Sequence, residues 1–180
     1  METYYDLTFV VDPVSDQLVD NLYEQGDFDF NLSGCDGLVL FSTSIFVDDP
    51  VLGALKFAHK LQSHDVHVRR LDHGLVNQTV IAKLCGVTRQ AVSLWVNNID
   101  TADLFPPPFT FVTAPLWVWG EVNEWLKRTG KNCAEDTRYM SSAQVDQFNT
   151  EWGRIDFSLL RPQVERTSSE LEGSTLKVAA

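Results

Sequence analysis

The spacing of apolar residues predicts six elements in the first part of the chain. Runs rich in aromatic and β-branched residues, or apolar at every second position, predict strands, and apolar residues every three or four positions predict helices. These elements are a strand at residues 4–11, a helix from an N-cap at Ser15 to Gly26, strands at 28–32 and 38–46 joined by a turn at 34–37, a helix capped by Asp48 or Asp49, and a strand at 66–71.

This order of elements is the split βαββαβ, or ferredoxin-like, arrangement. The predicted fold class is therefore α+β, with a ferredoxin-like domain over residues 1–72. We expect this domain to serve self-association or to bind a partner. The arrangement hosts many unrelated functions, so it does not by itself indicate any chemistry.

A different pattern begins after residue 74, where short helical stretches follow one another. Residues 76–85 and 89–97 predict two helices, separated by Gly86-Val87-Thr88. A proline cluster at 105–108, two β-rich segments about Pro115 and a helix at 121–128 complete a second domain over residues 74–130. Over residues 131–180 we expect a C-terminal helix at 142–152 and a mobile, polar tail from residue 162.

The segment from residue 78 to residue 97 has the pattern of a helix-turn-helix. Ala82 is small enough for a second helix to cross closely over it, and Gly86 permits the left-handed backbone of a sharp turn. Thr88 is suited to cap the second helix. The apolar residues that would pack the two helices together are Ile81, Cys85, Val87, Val92 and Trp95.

Polar side chains stand where the second helix, the reader helix, would face outward. Arg89 opens this helix, and amide and hydroxyl side chains suited to phosphates and base edges follow it. Two helices joined by a glycine also occur in bundles that bind no DNA, but the polar outer face favours DNA. The candidate DNA-binding residues are Gln78, Lys83, Thr88, Arg89, Gln90, Ser93 and Asn97.

The helix-turn-helix segment and the proline- and tryptophan-containing segments after it form one longer pattern. Its residues are Ile81-Ala82, Gly86-Val87-Thr88-Arg89-Gln90, Phe105-Pro106-Pro107-Pro108, Leu116-Trp117-Val118-Trp119 and 122–126. Over residues 75–128 the chain resembles the excisionase/AlpA-like, MerR-related winged helix-turn-helix proteins of bacteria and phages. The resemblance implies a hairpin wing after the prolines, a helix that packs under the reader helix, and core positions for Trp117, Trp119 and Trp125.

The wing of this chain departs from that family's pattern. Such proteins often place Arg or Lys at the wing tip or between the two tryptophans, whereas residues 110–115 carry no charge and Val118 lies between the tryptophans. The wing can then contact DNA only through backbone groups and the hydroxyls of Thr110 and Thr113. Alternatively, the wing contacts a protein partner instead of DNA.

The charge of the chain is unevenly distributed. The net charge is −11, and residues 1–59 hold one basic residue, Lys56, against eleven acidic ones. Residues 60–98 hold five basic residues against two acidic ones. Because phosphate neutralisation supplies most nonspecific DNA affinity, contact with a polyanion is expected in the middle segment only. The acidic residues of the N-terminal domain form a solvated face, or a surface that a basic partner recognises.

Other chemistry has little support in the sequence. The three cysteines are widely spaced, and the histidines and aspartates at 64–73 have no zinc-site spacing, which predicts no metal site. No Gly-rich phosphate loop or G-x-S-x-G motif occurs, so we expect no cofactor, no catalytic residue and no enzyme. No apolar run of membrane length and no signal-peptide pattern is present, and the expected location is the cytoplasm, at the nucleoid.

Together these observations predict a sequence-specific transcriptional regulator. Its reader helix, residues 89–97, would lie in the major groove of double-stranded DNA, with the protein acting as a homodimer on two half-sites. The alternative is a protein-interaction factor, antitoxin-like or an acidic decoy, whose helix-turn-helix does not read DNA. The acidic N-terminal segment and the uncharged wing favour that alternative.

Overall fold

The computed structural model describes residues 2–98, 103–131 and 137–155, and the fold is α+β. The first six elements are β1 (Thr3–Val11), α1 (Asp16–Gln25), β2 (Asn31–Cys35), β3 (Leu38–Val47), α2 (Pro50–Ser63) and β4 (Val68–Leu71). The next six are β5 (Leu75–Val76), α3 (Gln78–Leu84), α4 (Arg89–Asn97), β6 (Thr110–Phe111), β7 (Pro115–Val118) and α5 (Trp119–Arg128). The last two are β8 (Arg138–Tyr139) and α6 (Ser142–Trp152).

The larger sheet has the strand order β2-β3-β1-β4, and these neighbours are antiparallel. Alternation along β1 assigns its two faces. Leu7, Phe9 and Val11 are buried in a core with residues of α2, whereas Asp6 and Thr8 are half-buried and bond to the β3 hydroxyls on the other face. We call the core that contains Phe9 the first core.

The predicted helix caps of this part are confirmed. The hydroxyl of Ser15 accepts a hydrogen bond from the backbone N–H of Leu18, and Gly26 ends α1 in the left-handed conformation. Asp49, and not Asp48, caps α2, since its carboxylate accepts from the N–H groups of two residues in the first turn. These caps satisfy helix-terminal N–H groups that have no partner within the helix.

Two strands begin later than predicted. Residues 28–30 are not a strand, although their rings still pack on the first core: Phe28 lies edge-on against Phe41 and Phe57, and Phe30 stacks on Phe41. β2 then continues to Cys35, so the turn is only Asp36-Gly37. Likewise, the predicted strand at 66–71 shortens to β4, with the buried Val66 preceding it.

Two helices also differ from the prediction. The stretch predicted as a helix from residue 76 divides into β5, an N-cap at Asn77 and α3. The helix predicted at 121–128 begins at Trp119, where no side chain caps it and the sequence therefore carries no start signal. The helices predicted at 89–97 and 142–152 are confirmed at both ends.

The C-terminal elements complete the first core. β8 pairs with β1 in parallel, and Val145, Phe148 and Trp152 of α6 are buried in the first core. The indole of Trp152 donates to the Val68 carbonyl at 3.0 Å, and the amide of Asn149 exchanges two hydrogen bonds with the backbone of Leu71. The tail predicted from residue 162 lies outside the described residues.

A second core lies under α3 and α4. Its buried residues are Val76, Ile81, Ala82, Val92, Phe105, Trp117, Trp119, Val122, Trp125 and Leu126. The three-stranded sheet β5-β7-β6 borders this core, and α5 contributes four of its side chains. None of the helices in the described ranges is long and apolar enough to cross a membrane.

Candidate nucleic-acid interface

The turn between α3 and α4 has the backbone geometry that the sequence predicts. Gly86 has a φ of +61°, and the N–H of Val87 donates to the carbonyl of Ala82 at 3.0 Å, which is a Schellman closure of α3. A Cβ on Gly86 would meet nothing within 4 Å. The glycine is therefore required by its backbone angle and not by lack of space.

Thr88 begins α4 as predicted. Its hydroxyl accepts a hydrogen bond from the N–H of Ala91 at 3.2 Å. One face of α4 then enters the second core, with Val92 fully buried and Trp95 and Val96 partly buried. Ile81 and Ala82 of α3 are buried in the same core, so the two helices are held at a fixed angle by shared packing. The predicted packing residue Val87 is instead 36% exposed.

The helix α5 and the proline segment support α4 from beneath. The predicted core positions of Trp117, Trp119 and Trp125 are confirmed, since each is less than a tenth exposed. The indole N–H of Trp117 donates to the carbonyl of Pro106 and that of Trp125 to the carbonyl of Asp103, both at 3.1 Å. These bonds satisfy buried polar groups and fix the segment at 103–106 against the core.

The outer face of α4 is open to solvent over its whole length. Arg89, Gln90 and Asn97 are exposed, and Ser93 is half-buried. Leu94, which the sequence reasoning did not single out, is 72% exposed between them. The one sequence signal for this exposure was the four-residue spacing between Gln90 and Leu94, which puts both residues on the same face of a helix.

Two of the predicted reader residues are joined to each other. The side-chain amide of Asn97 donates to the backbone carbonyl of Ser93 at 2.8 Å and lies 3.3 Å from its hydroxyl oxygen. The pair fixes the rotamer of Asn97 at the C-terminal end of α4. A base contact by Asn97 would have to exchange or share this intrahelical bond.

The remaining predicted residues border the helix pair. Gln78 is half-buried at the first position of α3, and Lys83 is exposed in its last turn. The hydroxyl of Thr88 is occupied by its capping bond, although the residue is exposed. The structure thus brings the seven residues to one helix pair, with Arg89 and Gln90 exposed at the start of α4.

β6 and β7 form a short hairpin at the predicted position of the wing. Thr110 pairs with Leu116 and is half-buried, and Thr113 is exposed at the tip. Phe111 and Val112 are 70% and 72% exposed. Because β5 runs antiparallel to β7, the hairpin tip lies at the end of this sheet where α3 begins. The tip thus presents apolar side chains and hydroxyls without charge.

The sequence segment that forms α3 and α4 is basic. Residues 73–98 include Lys83 and Arg89 and no Asp or Glu. A further cation, missed by the sequence reasoning, lies nearby: the ammonium of Lys131 is 5.5 Å from the ring centre of Trp95 on α4 and 5.8 Å from that of Trp125. Nothing local to residue 131 signals this contact, because the fold brings Lys131 to α4.

The histidines near residue 70 are separated by the fold. His64 lies 3.5 Å from Asp27, His67 bonds to Gln62, and His73 bonds to Asp146 at 3.0 Å. Within the described ranges, no three His, Cys, Asp or Glu side chains are grouped so that they could hold a metal ion.

Comparisons with family models, with curated proteins and with solved structures find no match to this chain. The resemblance to excisionase-like proteins stays a prediction from the sequence.

Proposed function

We propose that the protein is a sequence-specific regulator that binds double-stranded DNA and inserts α4 into the major groove. The observation that carries this proposal is the outer face of α4. Arg89, Gln90 and Asn97 are exposed there, in a segment that has no acidic residue from 73 to 98. Guanidinium and amide groups match phosphates and the purine edges of the major groove, and the absence of carboxylates lets phosphates approach.

The proposal includes a finer description of the fold. The strand order β4-β1-β3-β2 supports a ferredoxin-like N-terminal domain, and the helix pair followed by the β6–β7 hairpin supports a winged helix-turn-helix. A regulator of this type would work at the nucleoid, in the cytoplasm of its cell.

We further propose that the protein binds as a homodimer, because one small module buries little surface on DNA and two half-sites raise affinity. The contact could use the edge strand β2, which in the described residues pairs with β3 alone, or the outer face of α1 and α2. The acidic residues before residue 60 would then lie away from the duplex.

The test is a binding titration against random duplex DNA over a range of salt, followed by selection of a preferred sequence. A regulator binds random duplex more weakly as salt rises, because cations leave the phosphates on binding, and it enriches one motif. The matched variants are Arg89→Ala and Arg154→Ala, which remove the same charge from α4 and from the exposed position after α6. Only the first is expected to weaken binding to the motif.

The second candidate function is that of a protein-interaction factor whose helix pair does not read DNA. The exposed, uncharged Phe111 and Val112 at the hairpin tip and the acidic N-terminal segment favour it. In the same titration, this function predicts no salt-dependent binding to random duplex DNA and no enriched motif.

A further inference from the structure

Leu94 is an apolar side chain at the centre of a polar surface. It is 72% exposed in the middle of α4 and does not belong to the apolar side chains packed on the second core. Gln90 lies one turn before it and Asn97 nearly one turn after it, and both are exposed. Covering an exposed leucine with an apolar group lowers the free energy of the complex. The ligand of this face should therefore offer an apolar group at this position.

We propose that Leu94 contacts the 5-methyl group of thymine in the bound DNA and makes the site selective for A·T base pairs. This inference rests on the proposed function, because it requires α4 to lie in the major groove. The thymine methyl is the apolar group that the major-groove edge of a base pair presents. An aliphatic side chain flanked by hydrogen-bonding side chains is suited to that edge.

Gln90 strengthens the same preference. A glutamine amide can bond to both N6 and N7 of adenine, which no other base offers together on its major-groove edge. Gln90 and Leu94 are four residues apart and therefore lie on one stripe of α4. The two side chains would reach neighbouring positions on the DNA, with adenine for the amide and thymine for the leucine.

DNA explains the surroundings of Leu94 better than a protein partner does. An apolar docking site for a protein is normally contiguous, whereas the other outward side chains of α4 are Arg89, Gln90, Ser93 and Asn97, and the exposed apolar residues Val80, Leu84 and Val87 lie on α3 and in the turn. Residues 73–98 also include no Asp or Glu that would repel phosphates.

The test compares thymine with uracil in the selected duplex. The full chain first selects a sequence from random duplexes, and each thymine of that sequence is then replaced in turn by uracil. Uracil keeps the hydrogen-bonding groups of thymine and lacks only the methyl. We expect at least one replacement to weaken binding about four-fold, which is the value of one buried methylene-sized group.

Variants then assign that methyl to Leu94. Leu94→Ala should bind the thymine and uracil duplexes equally, and Leu94→Met should keep a preference for thymine, because both Leu and Met present an apolar side chain. Leu104→Ala, which removes an exposed leucine outside α4, is the matched control and should keep the full preference. Circular dichroism of each variant checks that α4 stays folded.

The outcomes separate this inference from the function on which it rests. A selected sequence that is insensitive to uracil, or a Leu94→Ala variant that keeps the thymine preference, overturns the role of Leu94 and leaves the regulator intact. Absence of any selected sequence and of salt-dependent binding overturns both. A Leu94→Ala variant that instead turns a dimer into a monomer in sedimentation would place Leu94 in a contact with a second copy, and would also overturn the inference.

Discussion

Gly120 of α5 lies against Tyr139 of β8 so closely that a Cβ on Gly120 would lie 2.8 Å from the Cβ of Tyr139. The Cβ added to Gly120 would also lie 2.9 Å from the carbonyl oxygen of Met140. Because α5 supports α4 and β8 pairs with β1, this contact joins the two cores. The position of α4 relative to the N-terminal sheet therefore depends on a residue without a side chain.

Polar contacts hold the same junction. The carboxylate of Glu121 accepts a hydrogen bond from the hydroxyl of Ser142 at 2.5 Å, and the fully buried amide of Asn123 donates to the carbonyl of Thr137 at 3.3 Å. A buried amide that is bonded across a junction specifies one arrangement of its two sides, since leaving it unpaired costs about 1–3 kcal/mol.

Replacing Gly120 by alanine should destabilise the protein. The added methyl must push against the backbone at Met140, and overpacking of this kind costs about 1–3 kcal/mol. An unconstrained Gly→Ala change within a helix would instead stabilise by about 1 kcal/mol. Urea denaturation measures the change in the free energy of unfolding, and we expect a decrease. An increase would show that α5 and β8 are not in close contact.

Gly86→Ala should also destabilise the protein, for a different reason. The left-handed φ of +61° costs an alanine about 1–2 kcal/mol, although its methyl would meet no neighbour. Gly86→Asn is the matched control, because asparagine adopts this conformation more readily. Urea denaturation should rank the glycine protein first, the asparagine variant second and the alanine variant last. Equal stability of all three would contradict the turn described here.

Arg89→Ala should weaken binding to a selected duplex by about 1–3 kcal/mol and leave the melting temperature unchanged. The side chain is exposed at the first position of α4 and packs in neither core, so folding does not depend on it. Fluorescence anisotropy with a labelled duplex measures the affinity, and Arg154→Ala serves as the control of equal charge. Undiminished affinity in a folded Arg89→Ala protein would remove this residue from the interface.

Lys131→Gln should reduce the salt dependence of DNA binding without changing the preferred sequence. The ammonium lies over Trp95, which packs on the second core and not on the outer face of α4, so we expect Lys131 to contact a phosphate and not a base edge. Loss of one phosphate contact lowers the slope of log K against log salt by about one. Arg154→Gln, at an exposed position after α6, should leave that slope unchanged. A slope equal to that of the parent protein would place Lys131 outside the interface.

The sequence predicted best those elements whose signals are local. Ser15, Gly26 and Thr88 mark helix ends by capping chemistry, and each occupies its predicted position. The alternation from residue 28 to residue 32 identified the side that packs on the first core, but only residues from Asn31 onward form a strand, and Phe28 and Phe30 pack with Phe41 outside it. Periodicity cannot distinguish these two origins of apolar spacing.

Features that depend on distant partners were not predictable. β8 is two residues long and pairs with Tyr5 and Asp6 of β1, so nothing in its own sequence marks it as a strand. Lys131 reaches Trp95 only through the packing of α5 beneath α4. Leu94 was overlooked because an apolar residue in an amphipathic helix is ordinarily assigned to the buried face.

The most direct test of the proposed function is the ratio of two affinities of the full chain. Dissociation constants are measured at one physiological salt concentration for the selected duplex and for a scrambled duplex of the same length and composition. A regulator that reads bases through α4 predicts a ratio of about 10³ or more in favour of the selected duplex. A ratio near one, or no measurable binding to either duplex, would contradict sequence-specific recognition.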